Sequence, residues 1–317
     1  MSRGFPPPHG TAPKAFRASN QVKAWGGGAA FRGYPSARYA DVAQLVEHHL
    51  AKVRVAGSNP VVRSRRVVSL LRAAFTFLAS FSLAACAGDA QPDVYVAAAS
   101  DTREAFGELG RLMANDGVQV EFVFGSSGLL REQLLAGAPY DVYVSANLDY
   151  VREVVDAGYA SSDDVRQYAV GVLAIIARDG VAVPASVAEI ANVLGNGRRV
   201  VIANPAHAPY GVAAREAMQS AGIYGALNER LILAENVADA VRIVDAGEAD
   251  VGLVALALVR ERRLTIVDAS QYEPIRQTAV LTARGSGNAA AKAFIDLLTS
   301  PAGVAVLRDY GFVVDEG

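Results

Sequence analysis

Val94-Tyr95-Val96-Ala97-Ala98-Ala99-Ser100-Asp101-Thr102 carries the plan of this chain. The apolar run reads as a strand, and the serine that stops it gives way to a helical pattern near 102–115. The plan recurs in Val120-Glu121-Phe122-Val123-Phe124-Gly125-Ser126-Ser127-Gly128, ahead of a second helical pattern near 128–137. A helix N-terminus offers unpaired N–H groups and the positive end of the macrodipole, and a serine there adds a hydroxyl. Two such junctions on neighbouring strands point at one spot and make a seat for a small oxyanion.

Outward from these junctions, strands and helices alternate from Asp93 onward, the signature of parallel sheets covered on both faces. Further strand-like runs fall near 141–145, 168–177, 199–203, 231–235, 250–256, 264–268 and 278–283. Helical patterns lie near 148–157, 186–194, 211–221, 238–247, 288–299 and 301–310, with glycines 117, 137, 158, 195, 222 and 247 as stop signals. This many strands predicts two α/β lobes, each a mostly parallel sheet flanked by helices. The long run 168–177 reads as a strand that leaves one lobe for the other, with a return near 269–277. The lobes are expected at 93–170 with 274–317, and at 171–273, with the ligand between them at the carboxyl ends of strands.

The formal charge of −2 hides a split. Residues 1–85 hold 12 of the 30 Lys+Arg and 2 of the 32 Asp+Glu, a formal +10, and the remainder carries −12. An acidic body lacks the basic footprint that nucleic acid requires. An anion site in it has to work through local N–H and O–H dipoles.

The single cysteine, Cys86, ends Leu83-Ala84-Ala85-Cys86. It follows the apolar run 73–82 and arginines 63, 65, 66 and 72, a signal-peptide layout of basic region, apolar region and small-residue cleavage site. The tetrapeptide resembles the lipobox of bacterial lipoproteins, so residues 63–85 are expected to be a signal peptide and Cys86 the lipidated N-terminus, anchored at a membrane surface. A buried free cysteine after a plain signal peptide is the alternative. Residues 1–62, rich in Gly, Pro, Arg and Ala and without sustained periodicity, include a stretch from Val42 to Val61 that resembles the translation of a transfer-RNA gene. A misassigned start is expected, with initiation near Val67 to Leu71; a disordered extension is the alternative.

Two later junctions extend the anion seat. Asn204-Pro205-Ala206-His207-Ala208-Pro209-Tyr210-Gly211 is a Pro-punctuated loop leading into a helix, and Glu235-Asn236-Val237-Ala238-Asp239 places a capping residue before another. His207 has no Cys or His partners for a zinc cluster and reads as a capping or surface residue. Gly125-Ser126-Ser127-Gly128 is neither a nucleophile elbow nor a phosphate loop, since the spacing is wrong for the first and no Gly-Lys-Ser/Thr follows for the second.

These motifs, with Ala136-Gly137-Ala138-Pro139-Tyr140-Asp141 and Arg308-Asp309-Tyr310-Gly311-Phe312, occur in the order seen in one family. Over about 93–313 the chain resembles the molybdate-binding proteins of bacterial ATP-driven oxyanion importers. The resemblance implies a two-lobed solute-binding fold of the periplasmic binding protein type II class. It also implies an extracytoplasmic protein, monomeric and without a cofactor, that captures molybdate or tungstate and hands it to a membrane permease and its ATPase. Molybdenum enters only as the bound oxyanion. In that family serine hydroxyls at the first two junctions hold the anion, matching Ser100 and Ser127, and backbone N–H groups at the later two match Tyr210 and Val237. Ser126 and Ala255 are secondary candidates. Many members complete the site with a tyrosine hydroxyl where this chain has Ala255, so the Tyr210 phenol or a water takes its place, or the anion preference differs.

Two other readings are carried. One is a binding protein of this fold for another anion such as sulfate. The other is a lipid-anchored hydrolase using Ser126 or Ser127, which lacks a paired base and acid at a telling spacing. Asp101, the acid beside a seat, reads as an acidic residue complementing the dipole of a helix's first turn, or as an acceptor for a protonated anion.

Overall fold

The computed structural model of the protein describes residues 91–195 and 197–314. Residues 1–62, the expected signal segment 63–85 and Cys86 lie outside the described residues. Ten strands follow in chain order: β1 (Val94–Ala99), β2 (Val120–Gly125), β3 (Val142–Ser145), β4 (Arg166–Gly171), β5 (Leu173–Ala177), β6 (Val200–Ala203), β7 (Leu231–Ala234), β8 (Val251–Ala255), β9 (Thr265–Ile266) and β10 (Ile275–Leu281). They form two five-stranded sheets, ordered β2-β1-β3-β10-β4 and β7-β6-β8-β5-β9.

In each sheet one strand runs against the other four. β10 is antiparallel to β3 and β4, and β5 is antiparallel to β8 and β9. These reversed strands are the ones by which the chain enters a sheet from the other lobe. The apolar run 168–177 is therefore two strands, not one: it breaks at Val172, and its halves join different sheets. The return strand begins at Ile275, three residues earlier than the pattern from 278 predicted.

The helices are α1 (Arg103–Asn115), preceded by a 3₁₀ turn at Ser100–Thr102, α2 (Ser127–Leu135), α3 (Leu148–Asp156), α4 (Ile190–Leu194), α5 (Pro209–Ser220), α6 (Tyr224–Leu227), α7 (Val237–Asp245), α8 (Ala289–Thr299) and α9 (Pro301–Asp309). α4 is shorter than the pattern near 186–194 suggested, and α6 was not foreseen. Among the described residues no single helix is long and apolar enough to cross a membrane.

Strand residues alternate between faces, so β1 feeds two cores: Val94, Val96 and Ala98 pack on one side of the sheet and Ala97 on the other. The first side is aromatic. Phe106 on α1 is fully buried and meets Phe294 edge-on at 5.4 Å, Phe122 at 5.7 Å and Tyr168 at 6.2 Å between ring centroids. The second lobe is aliphatic, with Ile175, Ile176, Ile190 and Ile202 fully buried. Removing a ring at the centre of three others leaves a large void. Phe106→Ala is expected to destabilise the protein by about 3–5 kcal/mol, read as a shift in the denaturant midpoint.

Candidate functional site

Four chain reversals, two from each lobe, meet in the cleft. Ser100 and Asp101 follow β1, Ser126 and Ser127 follow β2, Tyr210 follows β6 and Val237 follows β7. Together with Ala99, Gly125, Ala146, Ala208, Pro209 and Asn236 they line one cavity of about 10 Å³, room for roughly one water molecule. The lobes thus face each other in a closed arrangement, and the residues that close it are themselves hydrogen-bonded across the gap.

Each donor can be followed individually. α7 has Asn236 as its N-cap, whose Oδ1 accepts from the N–H groups of Ala238 at 3.1 Å and Asp239 at 3.0 Å. The cap serves those two and leaves the Val237 N–H, one residue earlier in the same turn, available to the cleft. In α5, Pro209 occupies the first helical position, where its missing N–H costs nothing, and Tyr210 follows with a first-turn N–H that has no intrahelical acceptor. Ser127 Oγ accepts from the Ala146 N–H at 3.1 Å, and Ser100 Oγ accepts from the Ala238 N–H across the cleft at 3.4 Å. A serine hydroxyl that is accepting still has its own proton to donate. Ser100, Ser127, Tyr210 and Val237 are accordingly brought together with donors to spare.

Ser126 differs. Its hydroxyl donates to the backbone carbonyl of His207 at 2.6 Å, and His207 Nδ1 lies 2.9 Å from the same oxygen. The Gly128 N–H donates to that carbonyl too, at 2.9 Å. Ser126 has spent its proton and acts, with Gly128 and His207, as a latch between the lobes. A Cβ at position 128 would lie 2.7 Å from the His207 oxygen, so only glycine allows this approach. Ala255, at the end of β8, is buried beside Leu173 in the β5–β8 ladder and is not among the cavity-lining residues.

The Tyr210 phenol is buried. It passes under the seat to the point where the chain crosses between lobes: a Cβ at Gly171 would lie 2.2 Å from its hydroxyl and 3.0 Å from Gln277 Nε2. Gln277 donates to Asp101 Oδ2 at 2.6 Å, and Tyr168 OH lies 3.4 Å from Gln277 Oε1. A β-bulge between Gln277 and Thr278 shifts the register of the return strand at this point. Asp101 is 1% exposed; its Oδ1 and the Tyr210 hydroxyl are both buried without a hydrogen bond of standard geometry. Burial pushes the Asp101 carboxyl up to about 7, against the smaller opposing influence of Tyr210, its own backbone N–H and Gln277. The Tyr210 and Tyr168 phenols are raised well above their ordinary value, by burial first and then by the Asp101 charge. Among the described residues no group of three or more His, Cys, Asp or Glu side chains is placed to hold a metal ion.

A two-lobed α/β protein with helix N-termini aimed into an interlobe cavity is a solute receptor. The chain belongs to the bacterial extracellular solute-binding protein family, whose profile matches residues 94–313. Among its relatives, the molybdate-binding protein ModA of Rhodobacter capsulatus is 36% identical over 253 residues, covering 77% of this chain and 97% of that one. ModA of Escherichia coli is 30% identical, covering 73% and 93%. The solved structure of the Azotobacter vinelandii periplasmic molybdate-binding protein superposes with a TM-score of 0.65 at 30% identity, covering 70% of this chain and all of that one.

Sequence reasoning missed the latch role of His207 and the buried group of Asp101, Tyr168, Tyr210 and Gln277. One signal was present: Gly171 interrupts an apolar strand run, and glycine there often marks a close approach by another group. Gln277 carried none, because its partner is 176 positions away.

Two outcomes follow from these contacts. Gly128→Ala is expected to push the His207 loop away and open the cleft, seen as a larger radius of gyration by small-angle scattering, with circular dichroism unchanged. Asp101 binds its proton more tightly folded than unfolded, so its contribution is most favourable below its ordinary value near 3.8 and is lost as pH rises through about 7. Asp101→Asn is therefore expected to raise the thermal midpoint more at pH 8 than at pH 5.

Proposed function

We propose that the protein captures molybdate or tungstate outside the cytoplasm and presents it to the membrane permease and ATPase of an importer. One observation carries the reading: two serine hydroxyls and two first-turn N–H groups, drawn from both lobes, line one small cavity. A tetrahedral dianion accepts from several directions at once, and an acidic body has to hold it with dipoles. Ser100, Ser127 and the N–H groups of Tyr210 and Val237 are the donors. Discrimination from sulfate rests on size, since all three are dianions with four oxygens. The cavity has room for about one water molecule, so the Ser100–Ala238 and Ser126–His207 contacts yield to admit the anion. Closure then joins a lobe of residues 93–170 and 274–317 to one of 171–273. The donor that Ala255 does not supply leaves the site one hydroxyl short of many relatives.

The partners are the small oxyanion and the importer's membrane subunits, with no cofactor and no nucleic acid; the protein acts as a monomer. Cys86, as the lipidated N-terminus after a signal peptide of residues 63–85, holds it at the membrane surface, a reading supported by the sequence layout. The Ser126–His207 pair is the observation that favours a hydrolase. Against it, the Ser126 proton is on a carbonyl, and among the described residues no hydrogen bond joins His207 to a carboxylate.

Calorimetric titration with molybdate, tungstate, sulfate and phosphate tests the proposal: tight binding of the first two and weak response to the others is expected. Loss of a charge-assisted hydrogen bond costs about 1.5–3 kcal/mol, so Ser100→Ala should weaken molybdate about tenfold to a hundredfold. Its thermal midpoint should barely move, because Asn236 still serves Ala238. Ser127→Ala should weaken binding and also lower the midpoint, because the buried Ala146 N–H loses its acceptor. Silence toward molybdate and tungstate would overturn the reading.

A further inference from the structure

The oxyanion seat holds an acid where a dianion is to bind. Asp101 adjoins Ser100, lines the same cavity and is 1% exposed, with Oδ1 outside standard hydrogen-bond geometry and the Tyr210 phenol interacting with the carboxyl. The groups facing it are neutral: Tyr210 from α5, Tyr168 from β4 and the Gln277 amide from β10. The neighbouring elements bring no cation to it. On α1, the Arg103 guanidinium lies over the Phe124 ring at 4.8 Å and Glu104 is exposed. On α7, Asp239 is paired with exposed Arg242 at 2.8 Å. The 3₁₀ turn at Leu256–Leu258 carries only apolar side chains. His207, in the loop before α5, is engaged with Ser126.

Two like charges in one buried cavity repel strongly, because little water separates them. We propose that Asp101 makes anion capture proton-linked: the oxyanion binds the form in which this carboxyl is neutral, and a proton is taken up with the anion. The inference rests on the oxyanion reading above. The neutral acid removes the repulsion and turns Asp101 from an acceptor into a group with a proton to donate, in a site that lacks the hydroxyl at position 255. Gln277 donates to Oδ2, which orients the carboxyl, so the proton sits on Oδ1, on a carboxyl that also interacts with the Tyr210 phenol. Burial already lifts the free carboxyl to about 7, so the linkage acts at neutral pH. Below that value the acid is already protonated and affinity is flat. Above it, each pH unit is expected to lower affinity about tenfold until the bound carboxyl itself titrates.

The test is titration of the full protein with molybdate between pH 6 and 9, in pairs of buffers of different ionisation heat, which report protons taken up. Uptake rising toward about one proton per anion near pH 8, with affinity falling in step, is expected. Asparagine is the neutral mimic: its Oδ1 can accept from Gln277 and its Nδ2 can donate. Asp101→Asn should abolish both the uptake and the pH dependence, and bind more tightly than the unaltered protein at pH 8.5. His207→Gln should leave the uptake in place, which keeps the proposal open to refutation should Asp101→Asn fail to fold. Binding that is flat with pH and without proton uptake overturns the proposal alone, as does uptake that disappears with His207. No molybdate binding at any pH overturns the ligand reading and this inference with it.

Discussion

The first N–H groups of a helix have no acceptor within the helix, and this constraint organises the functional half of the molecule. At most junctions a capping side chain or solvent satisfies them. Here the supply of caps is incomplete: Asn236 serves Ala238 and Asp239 but not Val237, and proline at 209 leaves Tyr210 as the first donor of its helix. The unsatisfied amides lie at the carboxyl ends of β6 and β7, opposite serines at the carboxyl ends of β1 and β2. Parallel strands put all four at the same end of their sheets, where they line one cavity whose walls carry no Lys or Arg.

The two reversed strands set the second constraint. Since β5 and β10 are where the chain changes lobes, whatever packs there is felt by both. Gly171 gives the Tyr210 hydroxyl room beside the crossing, and the bulge at Gln277 sits where the amide meets Asp101. A buried carboxyl, an amide and two phenols therefore join the floor of the seat to the hinge. On the rim, Ser126 and Gly128 hold the His207 carbonyl. Neighbouring serines thus take different partners, Ser126 the His207 carbonyl of the other lobe and Ser127 the Ala146 N–H of its own, although the two are chemically identical.

Most of the fold was legible from the chain because it rests on local rules. Alternating strand and helix patterns, serine and asparagine at helix starts and glycine at helix ends are short-range signals, and Gly137 and Gly247 do adopt the left-handed backbone that such stops require. Local rules failed where a neighbour decided: Val172 breaks one apolar run into strands of different sheets, and the turns around 186–189 replace helix that the pattern alone favoured.

The sequence by itself determined the alternating architecture and the four strand-to-helix junctions that line the interlobe cavity, because hydrophobic period, caps and stops are properties of neighbouring residues. Only the tertiary structure decided which donors remain free, that Ser126 is spent on His207, and that Asp101 is buried with Gln277 and Tyr210 instead of complementing a helix dipole in water. Those outcomes depend on which distant groups share a low-dielectric space, and partners 81 and 176 positions apart leave no trace in local pattern.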